Sequence, residues 1–297
     1  MTVTLKAFLA RERERIDAAL DRLLPPADAW PARLHGAMRY AVFGGGKRVR
    51  PVLVRVSCGA AGGDPEKVLE AACALELVHT YSLVHDDLPA LDNDSLRRGR
   101  PTVHVAYDEP LAILAGDALL TEAFAILGRC PEGEPFAGRR AEACRLVAEA
   151  IGSKGMVGGQ VEDLEATGGA PDAARLERIH RAKTGALIGA AVELGALLAG
   201  LDGAHRRVFA DFGARLGLLF QIADDILDVT GSAQSLGKSP GKDAAAGKLT
   251  YPAVHGLAAA RGHLAARAEA LAAEADAIEG EDGIFKRLVE FVAWRDR

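Results

Sequence analysis

Apolar residues recur at three- and four-residue spacings through almost the whole chain, the period of helices that bury one face. Leu5, Leu9, Ile16, Leu20 and Leu23 line an opening helix that must end before Pro25-Pro26. Ala32 to Phe43 reads as a second helix, closed by Gly44-Gly45-Gly46, and Pro51 to Ala61 as a third, ended by Gly62-Gly63. Lys67 to about Leu88 is a fourth, with Pro89 at or just beyond its end. Further helices are predicted over Leu111–Leu127, Arg139–Ile151, Ala173–Leu201, His205–Val229, Tyr251–Ile278 and Ile284–Trp294. Turn-forming clusters separate them, as in "CPEGEP", "ATGGAPD" and "GSAQSLGKSPGKDAAAGK". No segment alternates with the period of a strand, and no break is long and purely polar like an interdomain linker. The expected fold is all-α, a bundle of roughly ten or more helices, with residues 1–297 forming one domain.

Composition agrees with that pattern. Ala, Leu and Gly abound while aromatics make up only 5%, a core suited to closely packed helices rather than strands. Hydrophobic residues at 49% and charged residues at 26% are those of an ordinary soluble globular protein. A net charge of −5 argues against nucleic acid as the main partner. Cys58, Cys73, Cys130 and Cys144 form no Cys-x-x-Cys pair, so they read as small buried hydrophobes rather than zinc ligands. The N-terminal stretch carries charges through its apolar positions, which makes it an amphipathic helix and not a signal peptide. Thr184 to Gly200 is the most apolar stretch, but it is short and contains Glu193, so a buried helix is expected and no membrane span. The cytoplasm is the expected location. The glycosylation-type triplet at Asn93 is then a chance match.

Two acidic clusters change the picture. "HDDLPALDND" places Asp86, Asp87, Asp92 and Asp94 within ten residues, and "QIADDILD" places Asp224, Asp225 and Asp228 at a later helix end. Asp224 and Asp228 share a helix face, with Gln221 one turn earlier. Carboxylates one turn apart suit Mg²⁺, which keeps several waters and completes its shell with substrate phosphates; a solvated acidic face is the other reading. In the first cluster Pro89 interrupts the helix, so a loop must bring Asp92 back toward Asp86. An EF-hand is excluded, because Leu96 and Arg97 follow where a ligand and Gly are required.

Basic clusters accompany the acids. "LRRGRPT" supplies Arg97, Arg98 and Arg100; "GGGKRVRP" supplies Lys47, Arg48 and Arg50 behind three glycines whose amides can approach an anion closely. It is not a Walker A loop, since Arg48 stands where Ser or Thr belongs. "AKTGAL" puts Lys183 and Thr184 on an apolar helix, and Lys238 and Lys248 lie in or beside the Gly-rich segment after the second acid cluster. Each cluster alone reads equally as solvated surface charge. Together they describe a bundle around a central apolar cavity whose mouth binds two diphosphates through metal and cations.

These motifs, in this order and with "HTYSLVHDDLPALDNDSLRRGRPTVH", "GMVGGQVEDL", "FQIADDILD" and "GKLTYPA", resemble the trans-isoprenyl diphosphate synthases, most closely the bacterial short-chain members that form farnesyl diphosphate. The resemblance spans nearly the whole chain. It implies an all-α homodimer that condenses isopentenyl diphosphate with allylic diphosphates. It implies that Asp86, Asp87, Asp92, Asp224, Asp225 and Asp228 bind three Mg²⁺ ions, with Mn²⁺ as a possible substitute. Arg97 corresponds to an allylic diphosphate ligand, and Lys47, Arg50, His79 and Arg98 to the isopentenyl diphosphate site. Lys183 and Lys238 correspond to further diphosphate ligands, Thr184 and Gln221 to groups near the developing carbocation, and Lys248 to the lysine of a closing loop. Gln160 and Asp163 match a "GQ…D" element beside the pocket.

The implied chemistry needs no side-chain nucleophile, and no Ser-His-Asp or Cys-His grouping stands out. A lone histidine on an apolar helix is more often structural, but His79 lies seven residues before Asp86, two turns away on nearly the same face, and that position together with the resemblance favours a site role. Tyr81 lies five residues before Asp86, where a ring obstructs a growing chain and Ser82 does not, and the resemblance implies a small residue there in C20-forming relatives; packing at a helix interface is the other reading of Tyr81. The expected product is therefore farnesyl diphosphate, with geranyl or geranylgeranyl diphosphate as alternatives. A terpene cyclase is disfavoured because Asp228 stands where that pattern wants Ser or Thr. A noncatalytic subunit is disfavoured because both aspartate motifs are intact. The C-terminal "WRDR" resembles the family's basic tail only loosely.

Overall fold

The computed structural model describes residues 4–231, 247–280 and 283–294. Lys238 and the last three residues of "WRDR" lie outside them. Among the described residues α-helix dominates, and strand is confined to one antiparallel pair of two residues each. The helices are α1 (Leu5–Leu23), α2 (Ala32–Val42), α3 (Val49–Ala60), α4 (Leu69–Asp86), α5 (Val103–Ala106), α6 (Glu109–Arg129), α7 (Ala137–Ile151), α8 (Met156–Ala166), α9 (Ala173–His180), α10 (Ala186–Ala199), α11 (Gly203–Thr230), α12 (Tyr251–His255), α13 (Leu257–Glu279) and α14 (Ile284–Trp294).

Their ends follow local chemistry. Thr4, Asp108, Asp172, Asp202 and Thr250 each accept a hydrogen bond from a first-turn amide of α1, α6, α9, α11 and α12, satisfying donors that a helix start leaves open. Gly200, at φ 101°, closes α10 in the left-handed conformation that glycine adopts without strain.

Four departures from the sequence pattern have physical causes. Helix α8 was not expected, because Gly152, Gly155, Gly158 and Gly159 mask its period. The expected helix over 173–201 is interrupted by a π-turn, Arg181–Gly185. The expected helix over 251–278 breaks at Gly256, φ 79°. The strand pair Leu96–Arg97 (β1) and Arg100–Pro101 (β2) sits inside the arginine cluster.

The chain forms two compact units. The first comprises Met1–Arg55 and Asp64–Cys144, the second Val56–Gly63 and Arg145–Arg297. In the first, α4 is buried almost all round, packed against α6 and also touching α1 and α2, with Ile16, Leu20, Leu75 and Leu77 fully enclosed. In the second, α10 is the buried helix and α11 crosses it closely, because glycines line the crossing. A Cβ at Gly213 would come within 2.9 Å of Gly189 Cα, and one at Gly217 within 2.6 Å of Gly185 Cα. Phe212 of α11 and Phe285 of α14 pack with ring centroids 4.9 Å apart.

Segments Glu109–Arg129 and Ala173–Ala199 are long and apolar enough to cross a membrane by length and composition alone. The most apolar window of the second is 67% buried inside the protein, as expected of a core helix. The cysteines are all free; Cys58, Cys73 and Cys130 are buried and Cys144 is half-buried.

Candidate active site

In the first unit α4 runs into the acidic cluster. Asp87 caps the helix, and the chain then curls back past Pro89: the Asp92 amide donates to Asp86 O (2.9 Å) and the Asp94 amide to Asp87 O (3.1 Å). The return of Asp92 to Asp86 that the sequence required is thus made by backbone hydrogen bonds. Asp87, only 3% exposed, receives Arg97 Nε and Nη2 at 2.6–2.9 Å. Burial pushes its carboxyl above the usual range, and the Arg97 guanidinium pulls it back.

Arg97 is placed by a hairpin. Arg98 (φ 53°) and Gly99 (φ 76°) are the two central residues between the paired Arg97 and Arg100, the positive-φ geometry of a type I′ turn. Arg98 Nη1 donates to Gly45 O, and the Arg100 guanidinium lies 4.3 Å from the centre of the Tyr40 ring. Gly45 (φ 100°) and Gly46 (φ 137°) turn the "GGGKRVRP" loop, and a Cβ at Gly46 would strike the Arg98 guanidinium at 2.8 Å. Arg48, at φ 52° and buried, anchors the loop from beneath. Its guanidinium donates to Asp17 Oδ1 (2.7 Å), Glu76 Oε1 (2.8 Å) and Val42 O (2.7 Å). Lys47 is exposed and Arg50 half-buried on either side of it.

His79 is half-buried one turn beyond Glu76 on α4. Burial, then Arg50, Arg98 and Arg97, drive its imidazole well below the usual range, so it is neutral at pH 7. Tyr81 is 7% exposed, and its ring meets the His85 ring edge-on at 5.8 Å. Burial, aided by the Asp86 charge, pushes its phenol up to about 12. Ser82 donates to His79 O (2.9 Å). A pocket within this unit is lined by residues including Tyr40, Leu83, Val84, Asp87, Arg97 and Arg98.

In the second unit the π-turn holds Lys183 and Thr184. It is wedged against α8 and α11, where a Cβ at Gly159 would come within 2.3 Å of Lys183 N. Lys183 Nζ donates to the buried Asp163 Oδ2 (2.7 Å). Thr184 Oγ1 donates to Gln221 Oε1 (2.7 Å), and Gln221 Nε2 to Asp225 Oδ1 (3.0 Å). Asp225 Oδ2 also receives the Tyr251 amide (2.8 Å) and faces His180 Nε2 at 3.2 Å. Asp224 is half-buried, and Asp228 is buried one turn later on its face. Lys248 is half-buried just before α12, and Gln160 is half-buried on α8.

The polyprenyl synthetase profile matches residues 31–286. Over 294 residues, 99% of each chain, the protein is 41% identical to the farnesyl diphosphate synthase of Geobacillus stearothermophilus. The chain belongs to the polyprenyl synthetase family. It is a trans-prenyltransferase of the farnesyl or geranylgeranyl diphosphate synthase type. It is also 46% identical, over 86% of its length and 72% of the relative's, to a chloroplastic geranylgeranyl pyrophosphate synthase of Arabidopsis thaliana. A solved synthase of Zymomonas mobilis, described as forming FPP or GFPP, superposes with a TM-score of 0.86 at 37% identity, covering 99% of this chain and 100% of that one. A Helicobacter pylori geranyltransferase, solved with magnesium and isoprenyl diphosphate, gives 0.86 at 29% identity, covering 98% and 97%.

In this prenyltransferase the structure gathers Asp86, Asp87, Asp92 and Arg97 in one unit, and Lys183, Thr184, Gln221 and Asp225 in the other. Among the described residues no three His, Cys, Asp or Glu side chains are already gathered into a metal cage. The donor set nevertheless fits Mg²⁺, which takes one or two carboxylates and completes its shell with water and phosphate. Asp86 with Asp92, and Asp224 with Asp228, offer such donors; Asp87 accepts from Arg97, and Asp225 from Gln221 and the Tyr251 amide. The sequence reading set Arg48 among cations facing an anion, whereas the fold buries it on Asp17 and Glu76; it missed Glu76 and His180. Their signals were present as single charged or polar residues on apolar helix faces, without a period to mark their partners.

Proposed function

We propose that the protein makes (2E,6E)-farnesyl diphosphate by adding isopentenyl diphosphate head-to-tail to dimethylallyl and then to geranyl diphosphate. The observation that carries the chain length is Tyr81: its ring is buried on α4, five residues before the first aspartate. The full-length match to a farnesyl diphosphate synthase supports the same product. Geranylgeranyl diphosphate is the second reading, favoured by the Arabidopsis relatives.

Lys47, Arg50, Arg98 and neutral His79 are assigned to isopentenyl diphosphate, Arg97 to the allylic diphosphate, Lys183 and Lys238 to further diphosphate contacts, and Lys248 to substrate binding. Asp86, Asp92, Asp224 and Asp228 are assigned to Mg²⁺, three ions in all, with Mn²⁺ as a substitute. Bound metal supplies Lewis-acid stabilisation of the departing diphosphate. The cationic side chains hold both diphosphates in register and offset the charge that grows on the leaving oxygen. The allylic C–O bond breaks, the isopentenyl double bond attacks the resulting carbocation, and a proton leaves to the released diphosphate. The Thr184 and Gln221 oxygens face the developing positive charge, and apolar walls keep water from it.

Residues 1–297 are read as one polyprenyl synthetase domain, because the family match runs through both units. A cytoplasmic homodimer is proposed with it. Helix α6 leaves Ile113 and Leu114 45% and 55% exposed, an apolar face suited to a second copy. The test is product analysis: purified protein, Mg²⁺, dimethylallyl and isopentenyl diphosphates, then separation of the dephosphorylated alcohols. Farnesol as main product supports the reading. Geraniol or geranylgeraniol replaces the chain length, and no elongation removes the activity.

A further inference from the structure

The middle aspartate of the second motif is spent on the protein itself. Asp225 is 4% exposed, and both of its oxygens take hydrogen bonds: Oδ1 from Gln221 Nε2, Oδ2 from the Tyr251 amide, with His180 Nε2 3.2 Å from Oδ2. A carboxylate only accepts, so it fixes the direction of every bond that reaches it. Gln221 must turn its amide nitrogen to Asp225 and its carbonyl to Thr184, and Thr184 must donate. His180 must carry its proton on Nε2. Its Nδ1 is buried without a hydrogen-bond partner, so Asp225 is the polar anchor of the ring. The ring also stacks on Tyr251, with centroids 5.7 Å apart and planes at 17°. His180 is the last residue of α9, and the π-turn with Lys183 and Thr184 begins at the next residue.

We propose that His180 is a positioning residue for prenyl transfer: with the Tyr251 amide it holds Asp225, and Asp225 orients Gln221 and Thr184 rather than binding metal. This rests on the prenyl-transfer reading of Thr184 and Gln221. The motif thereby divides its labour. Asp224 and Asp228 present one helix face to the cation, and Asp225, about 100° around the helix from Asp224, ties that face to the π-turn and to α12.

The test uses the full-length enzyme. In the metal-free protein, ¹⁵N–¹H NMR of labelled imidazoles reads the tautomer of His180, and a protonated Nε2 with a bare Nδ1 is expected. His180→Gln keeps an N–H near the Nε2 position, while His180→Phe keeps a ring and loses the donor. The expected result is a kcat about a hundredfold lower for His180→Phe, with KM for both substrates within about twofold, and substantial recovery in His180→Gln. Mn²⁺ binding in the presence of inorganic pyrophosphate, followed by electron paramagnetic resonance, is expected to weaken in Asp224→Asn and to hold in Asp225→Asn. A proton on Nδ1, equal losses in both His180 variants, or Mn²⁺ binding lost equally in Asp225→Asn and Asp224→Asn would overturn the proposal. The tautomer and the Mn²⁺ measurements need no turnover, so they stand even where the product reading fails or a variant does not fold.

Discussion

His79 gives the most direct test of the electrostatics in the first unit. Its imidazole is held well below 6.5 by burial and by Arg50, Arg98 and Arg97, while the unfolded chain returns it to the ordinary value. A depressed group contributes stability that is present above the unfolded pKa and lost as pH falls through and below 6.5. There the unfolded state takes up a proton that the folded state refuses. The slope of stability with pH approaches about 1.4 kcal/mol per unit for this one proton. His79→Gln removes the group and its share of the slope. Urea unfolding of both proteins at pH 7.5, 6.5 and 5.5 measures the difference, and the other histidines cancel because both proteins carry them. The expected outcome is a wild type that loses stability more steeply than the variant below pH 6.5, by up to about 1 kcal/mol at pH 5.5. Parallel slopes would refute the claim that His79 is held neutral. The same field predicts that a bound diphosphate, by offsetting the arginines, raises the His79 pKa. Calorimetric titration in buffers of different ionisation enthalpy then shows proton uptake on binding at pH 6.

Three further perturbations test other parts of the structure. Tyr81→Ala removes the ring that stands in α4 before the acidic cluster, so dephosphorylated products shift toward C20 and longer; an unchanged C15 product places the stop elsewhere. Arg48→Met leaves buried Glu76 without its guanidinium and lowers unfolding free energy by about 3–5 kcal/mol; a loss under about 1 kcal/mol shows that the loop is anchored otherwise. Gly116→Ala places a methyl 2.1 Å from His85 Nε2, so the ring must move off Tyr81 at a cost of about 1–3 kcal/mol, and wild-type stability in a urea melt would show that the ring has room.

Much of this protein is legible in its sequence. A 3.6-residue apolar period depends only on residues close together in the chain, so most helices and the all-α class follow from it. The motifs are likewise local, and their order along the chain carries the family. Tertiary structure decided what composition conceals. Helix α8 forms despite four glycines in and before it, because Gly159 lets it press against Lys183. Arg98 accepts a positive φ that a bulky residue disfavours, and the hairpin it makes aims Arg97 at Asp87. Which donors reach an acid of either motif depends on residues far away in sequence: Asp225 is claimed by Tyr251 and His180, 26 and 45 positions distant. A carboxylate's role is set by the donors around it, and only folding brings those donors together.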